Sequence, residues 1–211
     1  MNTYNSEKVR TSIGSLLKSD RTMLKNHCKI YVPFLCAALF ALNPLGLSAG
    51  VYSSLEFGDS RDTVTRKLQS SNLVEQTVGS TFLGRTGLNG VFKCKAKLAG
   101  LTYHLYFGWS DSGGLSEITL RSQKVHHNEF STTIKSAWAE ANKLFSQVYK
   151  QPVQSAHYPD KSKFKDHPIL ITHMWHKGAR QTIMIGPGLE KQKSFLAIRF
   201  VNQKIKPVRT P

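Results

Sequence analysis

The stretch that decides the fold is Leu101–Trp109, which reads LTYHLYFGW. An apolar or aromatic side chain stands at every second position. These positions are Leu101, Tyr103, Leu105, Phe107 and Trp109. Such alternation is typical of a β-strand with one buried face, so we expect this stretch to lie in an antiparallel sheet.

The flanking segments extend the pattern in both directions. Upstream, Val91–Ala99 alternates apolar residues with lysines, and Gly100 turns the chain into the central strand. Downstream, the turn signal Asp111-Ser112-Gly113-Gly114 leads into Ser116–Ser122. Short turns between alternating segments predict a three-stranded meander with one apolar face.

Two helices are predicted, one before each group of strands. Asp59 or Ser60 is suited to cap a short helix that ends near Ser70 or Ser71. The longer helix spans Asn128–Tyr149 and carries one apolar stripe at helical spacing. The stripe consists of Phe130, Ile134, Ala137, Trp138, Ala141, Phe145 and Val148.

In the last third of the chain, the sequence pattern predicts three more strands after a Lys-rich loop. The strands are Ile169–His176, Gln181–Gly186 and Ser194–Asn202, with turns at Lys177-Gly178 and Gly186-Pro187-Gly188. The fold class is therefore α+β: a helix packs on an antiparallel β-meander, in two such units in tandem. The units are residues 50–124 and 125–203, followed by a disordered basic tail at 204–211.

An apolar run at Ile30–Leu47, preceded by Lys25 and Lys29, predicts a signal peptide at residues 1–49 with cleavage after Ala49. Met23 would give a leader of ordinary length and is an alternative start. The leader therefore predicts an exported protein, either periplasmic or secreted. The alternative is an uncleaved inner-membrane anchor, although Asn43-Pro44 interrupts the run before the ~20 apolar residues that a spanning helix needs.

Charge and cysteine content limit the partners. Residues 1–49 hold six basic and two acidic side chains, so the remainder keeps 23 basic and 11 acidic ones, a formal charge of +12. This favours an anionic partner or an acidic protein surface; nucleic acid is less favoured but remains open. Beyond Ala49 the only cysteine is Cys94, which excludes an intramolecular disulfide and a cysteine metal cluster there. No cofactor motif is present.

The segment Phe57-Gly58-x-Ser60-Arg61-x-x-Val64 resembles the opening of the β-lactamase inhibitor protein family. Small outer-membrane lipoproteins of the barrel-assembly machinery have a similar opening. Leu105–Trp109, before a glycine turn and Leu115-x-x-Ile118, is similar to the later strands of such a unit. The resemblance implies an exported, non-enzymatic domain that binds through a sheet face. It carries over no partner-contact residue.

Six residues form the candidate binding face. Alternation places Lys93, Lys95 and Lys97 on the solvent side of one strand, and His104, Tyr106 and Arg121 on the same side of its neighbours. Cations beside an aromatic ring can bind phosphate or carboxylate groups and stack a planar group. The competing interpretation is that the lysines only protect a solvated sheet from aggregation.

Catalytic and metal-binding hypotheses are weaker. Asp111–Gly114 matches the D-S-G-G around a protease serine, but no base lies well upstream, and turn chemistry explains the motif. His173 and His176 would point to opposite strand faces, so no metal site is assigned. The main hypothesis is an exported non-enzymatic binding protein with no catalytic residue. A small exported hydrolase of an anionic polymer, using His104 or His173, is the alternative, as is a membrane-anchored domain.

Overall fold

The computed structural model describes residues 52–79, 87–164 and 168–207. The predicted leader lies outside these ranges. No helix within them is long and apolar enough to cross a membrane.

Two α-helices and a set of short to long strands make up the described chain. Helix α1 spans Arg61–Gln69 and α2 spans Thr133–Tyr149, with 3₁₀ helices at His127–Ser131 and Lys161–Phe164. The strands are β1 (Val74–Gln76), β2 (Phe92–Cys94), β3 (Tyr103–Trp109), β4 (Leu115–Ser122), β5 (Val125–His126), β6 (Gln154–Ser155), β7 (His173–Lys177), β8 (Gln181–Glu190) and β9 (Lys193–Val201).

All of these strands belong to one antiparallel sheet, in the order β1-β2-β3-β4-β9-β8-β7-β6, with β5 paired to β9. The α+β class with an antiparallel sheet is confirmed. The two predicted blocks of strands meet where β4 pairs with β9, with Ile118 opposite Phe200 and Leu120 opposite Ile198. The division into tandem units stays a prediction, since the strands form a single sheet.

Helix α1 begins where the sequence predicts. The Ser60 hydroxyl accepts a hydrogen bond from the Thr63 amide, which satisfies one of the free N–H groups of the first turn. Just before the helix, the Gly58 amide donates to the Leu115 carbonyl at 2.9 Å, and the Leu115 amide donates to the Asp59 carbonyl at 2.8 Å. The opening segment is thereby fixed against the end of the D-S-G-G turn.

Helix α2 packs its apolar stripe on one face of the sheet. Phe145 is buried, with its ring centroid 6.0 Å from that of Trp175 and 6.3 Å from that of Phe200. Five residues of the predicted stripe are buried, as expected: Phe130, Ile134, Ala137, Ala141 and Phe145. Val148, at its end, is exposed. Because Trp175 and Phe200 face α2, register places the side chains of Lys93, His104 and Arg121 on the opposite face, called the open face below.

The predicted turn at Gly186-Pro187-Gly188 is wrong, because these residues lie inside β8. The hairpin turn is Lys191-Gln192, both with positive φ. The glycines serve close packing instead: a Cβ at position 186 would lie 2.0 Å from the Leu170 carbonyl oxygen, and one at 188 would lie 2.3 Å from the Phe195 ring. A short glycine run can therefore indicate the close approach of a neighbouring chain as well as a turn.

The start of β7 and the C-terminal tail also differ from prediction. Strand β7 begins at His173, and the upstream residue Ile169 makes an isolated bridge with Gly188. In the tail, the Ile205 amide donates to the Thr182 hydroxyl at 3.0 Å, and the Ile205 carbonyl lies 2.9 Å from His176 Nε2. Ile205 is thus held on the sheet, in contrast to the predicted disorder, and residues 208–211 lie outside the described ranges.

Candidate functional site

The open face carries one continuous row of residues across the sheet. Each member pairs directly with the next across a strand boundary. In order, the row is Glu75, Lys93, His104, Arg121, Ala197 and Gly186. The register therefore brings together three of the predicted site residues.

Arg121 is held by aromatic rings rather than by a carboxylate. Its guanidinium carbon lies 4.6 Å from the centroid of the Tyr106 ring and 5.7 Å from that of Phe195. Such stacking favours a cation and fixes the plane of the guanidinium. Among the described residues, no carboxylate lies within ion-pair distance of Arg121.

The charge of Arg121 still reaches two carboxylates at longer range. It contributes to lowering the pKa of Glu117 and that of Glu190. Each of these carboxylates already pairs with another cation: Glu117 with Arg199, and Glu190 with Lys124 at 3.0 Å. Within the described residues, the Arg121 guanidinium therefore has no carboxylate of its own at ion-pair distance.

Lys93 is neutralised in part. Its ammonium forms an ion pair with Glu75, its partner across β1 and β2, and this contact lowers the pKa of the Glu75 carboxyl. Next to it, partial burial lowers the pKa of His104, and the positive charge of Lys93 lowers it further. His104 is thus mostly neutral at neutral pH and becomes a third cation of the row, beside Lys93 and Arg121, in acid.

That Lys95 and Lys97 share this face stays a prediction. Strand β2 ends at Cys94, and the chain bends away before the Leu98–Leu101 bridge. Both lysines are exposed, but they lie beyond the strand, where alternation no longer fixes a side. Cys94 itself is buried, as predicted.

The open face also carries a fully formed ion pair, which joins Glu117 of β4 diagonally to Arg199 of β9. Arg199 Nε and Nη2 donate to the two carboxylate oxygens of Glu117 at 2.9 and 2.7 Å, and the Thr119 hydroxyl donates to the same carboxylate at 2.5 Å. Burial alone would raise the pKa of Glu117, but these hydrogen bonds outweigh it and the pKa is lowered. This pair stiffens the face beside Arg121.

The open face is bounded on one side by the segment before β7, which runs alongside β8: the Leu170 amide donates to the Pro187 carbonyl at 3.0 Å, and the Thr172 amide to the Ile185 carbonyl at 2.9 Å. Leu170 covers Gly186 at the β8 end of the row, and the tail at Ile205 lies against Thr182 and His176. The accessible part is therefore a patch on β2, β3 and β4. We call Lys93, His104, Tyr106 and Arg121 the open patch; all four are half-buried.

The remaining candidates lie elsewhere. In the D-S-G-G turn, the Gly113 amide donates to the Ser110 carbonyl at 2.8 Å, and the Ser110 and Ser112 hydroxyls lie 2.9 Å apart. This is turn chemistry, as expected. His173 lies on the α2 side, with Nε2 3.1 Å from the Ser155 hydroxyl. Within the described ranges, no group of three or more His, Cys, Asp or Glu side chains could hold a metal.

Phe195, Glu75 and Glu117 were missed at the sequence level. Phe195 lies in β9, whose residues from Ser194 to Ile198 are buried on both faces. A strand covered on both sides shows a continuous apolar run, so alternation gives no signal for its open side. Glu75 lies in the three-residue strand β1, which is too short for periodicity to reveal.

Comparison of the chain with protein-family models, with curated proteins and with solved structures found no match.

Proposed function

We propose that this protein is an exported, non-enzymatic binding protein that holds an acidic protein surface against the open patch. The observation that carries the proposal is the guanidinium of Arg121, which lies against Tyr106 and Phe195 without a carboxylate partner within the described residues. A carboxylate from a partner would supply the missing charge and could accept two parallel hydrogen bonds.

The composition of the open patch favours a protein partner. Arginine and tyrosine are among the residue types that contribute most to the free energy of protein–protein binding, especially where they are rigid and partly desolvated. Arg121 and Tyr106 are both half-buried and stacked on each other. Little side-chain entropy would therefore be lost when a partner binds them.

A nucleic acid is a poorer fit to the same patch. Binding to a phosphate backbone uses many unpaired cations that release counterions. Two of the cations on the open face already have carboxylate partners, Lys93 with Glu75 and Arg199 with Glu117. The patch offers one strong cation beside an aromatic ring, which suits a carboxylate better than a run of phosphates.

Export rests on the leader predicted at residues 1–49. The resemblance to the β-lactamase inhibitor protein family supports the same picture, since it implies an exported domain that binds through a sheet face. N-terminal sequencing of the protein recovered outside the cytoplasm tests this part. A start at Gly50 supports cleavage, and an intact leader supports the membrane-anchored alternative.

The binding part is tested by mapping the contact surface in solution. The probe is a peptide rich in Asp and Glu, titrated into the ¹⁵N-labelled protein while backbone amide shifts are followed. We expect the largest shifts at Lys93, His104 and Arg121, with little change along the outer side of α2. Shifts concentrated at the exposed lysines of the loops instead would exclude the open patch. Polyphosphate and heparin are parallel probes, and tighter binding of either would reassign the partner class.

A further inference from the structure

Ser155 and His173 face each other across β6 and β7, on the side of the molecule away from the open patch. The two residues form a directly opposed pair, and Ser155 Oγ lies 3.1 Å from His173 Nε2. Ser155 is exposed. An activated nucleophile needs a base within hydrogen-bond distance. The Ser155 hydroxyl has an imidazole at that distance and is accessible to solvent.

The other ring nitrogen of His173 is oriented by a chain of hydrogen bonds. His173 Nδ1 lies 3.2 Å from Thr172 Oγ1. The indole N–H of Trp138 donates to that same oxygen at 2.8 Å, and the Thr172 hydroxyl donates its own proton to the Ile185 carbonyl at 3.1 Å. Thr172 Oγ1 can then only accept from His173. This assigns the proton to Nδ1 and leaves the lone pair of Nε2 directed at Ser155.

The imidazole is also fixed in position and kept neutral. Its centroid lies 5.5 Å from that of the Trp138 ring, in an edge-on arrangement, and 5.8 Å from that of Trp175, in a stacked one. Burial lowers the pKa of His173. At neutral pH the ring is therefore in the form that can take a proton.

We propose that Ser155 is a nucleophilic serine that accepts an acyl group from an activated aryl ester, with His173 as the general base. Ser155 Oγ forms a bond to the carbonyl carbon, and the bond from that carbon to the leaving oxygen breaks. The serine proton passes to His173 Nε2 and from there to the leaving phenolate. The product is an ester on Ser155. The ring of Trp138 beside His173, with Tyr158 against the Trp138 ring, favours an aryl leaving group.

Thr172 takes the place that a carboxylate holds in a Ser-His-Asp triad. A neutral hydroxyl orients the imidazole but does not stabilise the imidazolium that forms when the serine loses its proton. Acylation is therefore slow, and the Ser155 ester accumulates as a single covalent modification instead of turning over. Thr172 is a positioning residue in this scheme. The proposal is independent of the open patch, since it uses none of its residues.

The test uses the full chain and p-nitrophenyl acetate, with digestion and mass spectrometry to measure acetylation of the Ser155 peptide over time. We expect one acetyl group on Ser155, its loss in Ser155→Ala, and a rate at least about tenfold lower in His173→Gln, equivalent to about 1.4 kcal/mol. Ser112→Ala is the matched control, because Ser112 is an exposed serine whose hydroxyl lies 2.9 Å from another serine hydroxyl, that of Ser110, and it should leave the rate unchanged.

Two further readouts separate base catalysis from mere exposure of a hydroxyl. The labelling rate should fall as the pH is lowered through the pKa of His173, because a protonated imidazole cannot take the serine proton. Burial places that pKa below the ordinary histidine value, and the groups that face the ring are the hydroxyls of Ser155 and Thr172 and the rings of Trp138 and Trp175. Thr172→Val should slow the labelling of Ser155, whereas Thr172→Ser, which keeps the hydroxyl, should label at the unmodified rate. This comparison tests the role of His173 even if His173→Gln fails to fold. Equal Ser155 labelling in His173→Gln or Thr172→Val, or labelling no faster than at Ser112, would overturn the proposal.

Discussion

The guanidinium carbon of Arg121 lies 4.6 Å from the centroid of the Tyr106 ring, with Phe195 on a neighbouring strand at 5.7 Å. One charged side chain thus contacts two aromatic rings that are brought to one face by the pairing of β3, β4 and β9. The contact has a structural effect, because it shields Phe195, and a chemical one, because it presents an oriented cation to solvent.

Arg121→Ala should lower the free energy of unfolding by about 1–2 kcal/mol, since it removes a cation–π contact and the aliphatic cover over Phe195. Urea denaturation followed by circular dichroism measures the change. Lys135→Ala, on the exposed side of α2, is the control and should stay within about 0.5 kcal/mol of the unmodified protein. Equal stability of the two variants would mean that the Arg121 side chain is not packed on the rings.

His104 should make binding of an acidic peptide stronger in mild acid. Burial and the charge of Lys93 lower its pKa, so the imidazole gains its proton only as the pH falls below the ordinary histidine range. We expect the affinity to rise between pH 7.5 and pH 5.5, and the rise to be smaller in His104→Asn. Fluorescence anisotropy of a labelled peptide gives both values, and an identical rise in the variant would place the titrating group elsewhere.

Gly186→Ala should destabilise the protein by about 3 kcal/mol, because the new Cβ would lie 2.0 Å from the Leu170 carbonyl oxygen. Gly178→Ala is the informative comparison. Gly178 has a positive φ of 63° but nothing within 4 Å of a built Cβ, so only backbone strain of about 1 kcal/mol is expected. A cost at position 186 no larger than at 178, measured by urea denaturation, would show that the Leu170 carbonyl does not lie against Gly186.

The Glu117–Arg199 pair should contribute stability that depends on pH. The folded-state pKa of Glu117 is lowered, so this stability is present above the pKa of an unfolded glutamate and is lost as the pH falls through the folded value. Glu117→Gln should cost about 1–3 kcal/mol at pH 7. The difference from the unmodified protein should shrink in acid, whereas the exposed control Glu56→Gln should show a small difference throughout.

The sequence predicted the α+β class, both helices and the central strands, because long segments such as Leu101–Trp109 and Asn128–Tyr149 show clear periodicity. It failed where packing, not periodicity, decides the structure. Gly186 and Gly188 are needed under Leu170 and Phe195, contacts that no local pattern reveals. The hairpin at Lys191-Gln192 carries positive φ at two residues that are not typical of such turns.

The candidate site was predicted only where its residues lie on strands with a regular alternation. Lys93, His104, Tyr106 and Arg121 lie on regular strands, and alternation places them on one face correctly. Lys95 and Lys97 follow the same alternation in the sequence, but β2 ends before them. The ion pair of Lys93 with Glu75 could not be predicted, because β1 is a three-residue strand without a pattern of its own.

The most direct test of the binding account is the affinity of the intact protein for an Asp- and Glu-rich peptide, compared between Arg121→Gln and Lys135→Gln. Both variants lose one positive charge, but only the first loses it from the open patch. We predict that Arg121→Gln weakens binding at least about tenfold, or about 1.4 kcal/mol, and that Lys135→Gln changes it less than about twofold. Equal weakening in the two variants would mean that net charge alone attracts the peptide, and would contradict the account.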